Sequence, residues 1–130
     1  MGELGSSIQP GIARTTGAVE IAMAEYVQVL TTAGSEDEAE RIGALLIERR
    51  LAACVQVSGP VASRYRWRGE VEEAREWRCV AKTEAARYAE VEAAIREAHS
   101  YEEPEIVAIP IVAGSAGYLD WIGESVRGDE

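Results

Sequence analysis

Phenylalanine is missing from this 130-residue chain, histidine and lysine occur once each, and cysteine occurs twice. Each scarcity excludes something. A single histidine, His99, cannot complete a transition-metal site alone, because such a site needs three or four converging ligands. Cys54 and Cys79 are too few for a disulfide framework and do not form a C-x-x-C motif. They read as buried thiols of a reducing compartment, and the protein as cytoplasmic. No stretch approaches the roughly 20 apolar residues of a membrane span, and the N-terminal residues lack the charged and apolar regions of a secretory signal. Cationic side chains are also scarce, with 13 Lys and Arg against 23 Asp and Glu and a formal net charge of −10. A surface of that sign repels phosphate, which excludes nucleic acid and anionic membranes as partners. Codon preference is the plain cause of arginine's dominance, yet one compact ammonium kept at Lys82 makes that residue a candidate.

Residues 1–22 hold scattered Gly, Ser, Thr and Pro without a sustained period and read as a disordered or loosely attached leader. Residues 23–130 are left as one domain, long enough for a complete core. "YVQVLTT", Tyr26 to Thr32, is a β-branched run that predicts the first strand. Ser35 and Glu38 then make a capping box, and Ala39, Ile42 and Leu46 recur at helical spacing, so a helix is predicted from Glu36 to Arg50 with Glu36 to Glu40 as its solvated start. A long strand from Cys54 follows, bent at Ser58-Gly59-Pro60 and turned back at Gly69, with Trp77, Cys79 and Ala81 on one face of the return. Arg64, Arg66 and Arg68 oppose Glu70, Glu72, Glu73 and Glu76 across that turn. Tyr88, Val91, Ile95 and Ala98 mark a second helix that places His99 in its last turn. "EIVAIPI" is a short strand with Pro110 near an edge or end, and Gly114-Ser115 open a terminal helix carrying Tyr118, Leu119 and Trp121.

The order β-α-β-β-α-β predicts an α+β, ferredoxin-like split βαβ sandwich with both of its helices on one face of an antiparallel sheet, plus the C-terminal helix. Its hairpin is too long for its body. The stretch from Cys54 to Trp67, at about 3.3 Å per residue, reaches roughly 45 Å, so it must bend or project. Tyr65 and Trp67 near its tip are apolar surface that a two-stranded ribbon cannot bury, which calls for a partner subunit.

"RLAACVQV", "SRYRWRGEVEEAREW", "KT", "HSYEEPEI" and "GSAGYLDW" together resemble the CutA family of divalent-cation tolerance proteins over about Tyr26 to Val126. The resemblance implies a homotrimer similar in architecture to PII signalling proteins, an association with copper and other divalent cations, and no catalysis. By motif it carries over Cys54, the hairpin tip at Tyr65, Trp67 and Gly69, Lys82, and His99, Tyr101, Glu102 and Pro104. The chain departs from the family pattern at Gln56 and Ser100. It also has Thr31 and Ala98 where some members carry a cysteine and a second histidine, which points to weak metal binding.

The expected metal ligands are His99, Glu102, Glu103 and Cys54, with copper or another divalent cation bound weakly and no cofactor required. Against this, a histidine at a helix end complements the helix dipole and bonds the next segment without any metal. Cys54, flanked by Ala53 and Val55, equally fits an inert core thiol. Tyr65, Trp67, Trp77 and Trp121 are expected at the trimer interface, where aromatic residues concentrate. A different function is a PII-like trimeric sensor that binds a small anion in the inter-subunit clefts beside Lys82 and Tyr101. An enzyme would need Cys54 with His99 and an orienting third group that no motif supplies.

Overall fold

The computed structural model describes residues 24–128; the leader expected over residues 1–22 lies outside them. The first strand, β1, is Tyr26–Ala33, followed by helix α1 (Glu36–Glu48), strands β2 (Cys54–Trp67) and β3 (Glu70–Glu84), helix α2 (Tyr88–Ala98), strand β4 (Val107–Pro110) and helix α3 (Ala116–Arg127). The strands form one antiparallel sheet in the order β2-β3-β1-β4, the split βαβ arrangement. Odd-numbered residues of β1 and β3 share a face because Val29 pairs with Ala81 and Thr31 with Cys79. That face packs on α1 and α2, where Val27, Val29, Cys79 and Ala81 meet Ala39, Ile42, Leu46, Val91 and Ile95 in one buried cluster.

Helix α1 begins where the sequence predicts, with Ser35 Oγ accepting from the Glu38 backbone N–H at 3.1 Å. Its end comes earlier than the expected Arg50. Arg50 takes a left-handed conformation, φ 55°, that stops the helix, and its guanidinium donates to the Ser125 carbonyl of α3 at 2.9 Å. Residue Ala98 of α2 is exposed rather than apolar-facing, and Ala94 takes the buried position. Helix α3 buries Ile122 and Val126, not the aromatic residues its sequence highlights. Tyr118 packs beside Lys82, on the side of β3 opposite the core cluster.

The hairpin outruns the sheet. β1 ends at Ala33 opposite Trp77, whereas β2 and β3 continue as a pair to Trp67 and Glu70, leaving a two-stranded extension. Arg68 and Gly69 close it with φ of 52° and 84°, positive at both central turn positions. Along it Arg64 pairs with Glu73 at 3.1 Å as the charge pattern predicts, but Arg66 faces Val71 and Arg68 leaves the ladder altogether. Tyr65, Trp67 and Val71 stay exposed at 43%, 39% and 55%. The expected bend is a register shift between Ser58 and Val61. There Gly59 lies under Trp77, and a methyl group at Gly59 would come within 2.7 Å of the ring. Gly59→Ala is expected to destabilise the protein by about 1–3 kcal/mol through overpacking, read by chemical denaturation, with Gly69→Ala failing to disturb Trp77 fluorescence.

Candidate functional site

The corner after α2 is built around His99. Its backbone is extended at φ −87° and ψ 143°, so it closes the helix from just outside the last turn, and its side chain is fully buried. Both ring nitrogens have partners. Nδ1 accepts from the Tyr101 backbone N–H at 3.1 Å, and Nε2 lies 2.7 Å from the Thr32 carbonyl of β1. An N–H can only donate and a carbonyl only accept, so the ring is neutral with its proton on Nε2. Glu38 completes the corner. Its carboxylate accepts from the Ser100 N–H at 2.8 Å and the Ser100 hydroxyl at 3.0 Å, and it stands 3.6 Å from His99 Nδ1. This overturns the expectation that Glu38 belongs to a solvated helix start: it is 7% exposed and spends its side chain on Ser100 rather than on the capping box.

The corner aims the next residues at the hairpin. Tyr101 donates its hydroxyl to the buried Glu76 carboxylate of β3 at 2.8 Å, and its ring packs against His99 with centroids 4.8 Å apart. Burial, and then the Glu76 carboxylate, push the Tyr101 phenol well above its ordinary value. Glu102 pairs with Arg68 of the hairpin turn at 2.8 Å, and Glu103 with Arg96 at 3.4 Å. Between loop and hairpin lies a cleft of about 550 Å³ walled by Tyr65, Trp67 and Tyr101, with Glu76, Glu102, Glu103 and Glu105 among its lining.

Of the expected metal ligands, Glu102 and Glu103 reach this cleft but turn to different arginines, and the His99 nitrogens are already engaged. Cys54 is elsewhere. It pairs with Lys82, which faces Gln28, four residues along β1 from the Thr32 that holds His99, or about 13 Å at strand spacing. Among the described residues no three His, Cys, Asp or Glu side chains are grouped to hold a metal ion. Tyr101 lines the cleft, whereas Lys82 does not: its ammonium is 3.5 Å from the Tyr118 hydroxyl, where α3 meets β3. Trp77 packs partly on the helix-side core, and Trp121 is exposed on α3 beside Tyr118. The sequence offers Glu38 only as a capping-box residue and Arg68 and Glu76 only as members of the charge ladder across the hairpin, and none of the three as part of the site.

Such a fold, a four-stranded antiparallel sheet with three helices and an over-long hairpin, defines an α+β class that proteins of known structure share. The structure of the periplasmic divalent cation tolerance protein CutA from Archaeoglobus fulgidus is similar with a TM-score of 0.75 at 42% identity, covering 78% of this chain and 98% of that one. The divalent cation tolerance protein Cut A1 from Thermus thermophilus gives 0.75 at 41%, covering 77% and 97%. In sequence, the CutA proteins of these organisms are 44% identical over 99 residues and 42% over 97, which is 76% and 75% of this chain and 96% and 94% of theirs. The family model of the CutA1 divalent ion tolerance protein matches residues 27–125, and the chain belongs to that family.

Tyr101→Phe leaves the buried Glu76 carboxylate without its donor, and a loss of about 1–3 kcal/mol at pH 7 is expected in denaturation. Because the phenol is raised above its ordinary value of 10.0, the stability it contributes is complete below that value and is lost as pH rises beyond it. The gap between wild type and Tyr101→Phe should therefore narrow above pH 10.

Proposed function

We propose that this chain acts as a homotrimer in tolerance to divalent cations, copper among them, by binding the cation weakly and without turnover. The observation that carries this reading is the two-stranded extension with exposed Tyr65 and Trp67 beside a cleft lined by carboxylates. Apolar surface at the end of a ribbon is stable only when covered, and a copy of the same chain is the economical cover. Val107 and Ile109, 44% and 46% exposed on the sheet face away from α1 and α2, and Trp121 at 36% offer a second surface for the same contact. The cation falls to Glu102 and Glu103 together with groups from a neighbouring subunit. His99 serves them by fixing the loop, since its nitrogens would have to give up buried hydrogen bonds to reach a metal. Carboxylates suit copper less well than imidazole or thiolate, and both glutamates already hold arginines, so binding is weak.

Absence of turnover is supported by the thiols. Burial pushes Cys79 up to about 11, and Cys54 is remote from the imidazole that would activate it. The reading as an anion sensor has less support, because the cleft carries four carboxylates and Lys82 lies outside it.

Sedimentation at micromolar concentration should give three times the 14.1 kDa chain mass, and a monomer would overturn the assembly. In calorimetric titration Cu(II) should bind wild type weakly, and Glu102→Gln/Glu103→Gln should weaken it by about tenfold, or 1.4 kcal/mol. Unchanged binding in the double variant would remove these carboxylates from the site.

A further inference from the structure

Two buried carboxylates surround the neutral His99 ring, and neither is paired with an arginine or lysine among the described residues. Glu38 faces it from α1 at 3.6 Å, and Glu76 of β3 faces it through the Tyr101 hydroxyl, the two being 7% and 6% exposed. From its own loop the ring meets the Tyr101 phenol, from β1 the uncharged Thr32 carbonyl. Arg96 of α2 is turned to Glu92 and Glu103. Buried negative charge without a positive partner is costly, and the imidazole is the one group of this corner that can become positive.

We infer that the corner is a proton-operated release for the loop that follows it. A proton taken from solvent by the Nδ1 lone pair turns an acceptor into a donor, which then faces the Tyr101 N–H, another donor, at 3.1 Å. That hydrogen bond is lost. A new acceptor is already in reach, because Glu38 Oε2 at 3.6 Å has only to close to about 2.8 Å for a charged hydrogen bond, and a carboxylate oxygen can accept it while keeping the Ser100 N–H. The bond from Nε2–H to the Thr32 carbonyl is the same in both states, so the ring pivots about it. One proton thus exchanges a neutral bond to the loop for an ion pair with α1.

The segment set free is short. Ser100 stays tied to Glu38 on one side and Pro104 is buried on the other, which leaves residues 101–103 between two fixed points. Those residues form one wall of the cleft, and His99, Glu76 and Arg68 hold them there. Acidification removes the first of these holds. The device belongs to the loop and not to any ligand, and so goes beyond the divalent-cation reading.

Because His99 is the only histidine, nitrogen-15 labelling of histidine gives a single ring to follow in the full-length protein. Ring nitrogens, backbone amides and side-chain carboxyl carbons are recorded by NMR with EDTA present from about pH 8 to about pH 5, the range in which histidines titrate. Both ring nitrogens should move to imidazolium positions while the Glu38 carboxyl stays ionised. In the same step the Tyr101 amide proton should shift upfield and exchange with solvent about tenfold faster or more. Tyr101→Phe keeps the backbone N–H but loses the contact with Glu76, and its residue 101 amide should show the same step. Glu38→Gln should keep that amide bound at a pH at which wild type has released it. A ring that stays neutral across the range, a proton found on Glu38 or Glu76 instead, an amide unmoved when the ring protonates, a step absent from Tyr101→Phe, or release unchanged in Glu38→Gln would each overturn the inference.

Discussion

A buried imidazole with both nitrogens committed holds the candidate site in place. His99 ties the end of α2 to β1 through Thr32 and to the following loop through the Tyr101 N–H, while Glu38 secures Ser100 from the start of α1. The end of α2 is thereby fixed to β1 and α1, two elements more than 60 positions away in sequence. Buried polar groups are costly unless satisfied, and here each finds a partner, so the loop leaving the corner has little freedom. Tyr101, Glu102 and Glu103 inherit that order, and the cleft follows from where they point.

The other constraint is the unequal length of the strands. β1 supports β3 only as far as Trp77, and beyond it β2 and β3 pair only with each other among the described strands. A hairpin of this kind can be stabilised from outside by another subunit and from inside by contacts back to its own domain. The chain shows the inside contacts: Tyr101 to Glu76 near the base and Glu102 to Arg68 at the tip. The ribbon and the loop are therefore two walls of one cleft, and whatever covers the ribbon bears on what the cleft can hold.

Much of this fold is legible from local pattern. Period-two alternation and Gly69 locate the hairpin, Ser58-Gly59-Pro60 locates its irregularity, and the order of elements leads to the observed strand order. Pro110 does end an edge strand, as its missing N–H requires. The site is less legible because its contacts are long-range. Glu38 and Ser100 are 62 positions apart, His99 and Thr32 67, and Arg68 and Glu102 34, and no periodicity connects them. A glutamate in the first turn of a helix looks solvated until something packs over it. The lone histidine invites a metal because residue type suggests ligation, whereas its role depends on what its two nitrogens already touch.

The central claim, that His99 is a structural corner and not a ligand, is open to a direct spectroscopic measurement. Nitrogen-15 NMR of the imidazole at neutral pH should show the neutral tautomer protonated at Nε2, with Nδ1 as acceptor, and the same signals should persist when Zn(II) is added in excess. A ring protonated at Nδ1, or a Zn(II)-dependent shift of either nitrogen to a metal-bound position, would contradict the account.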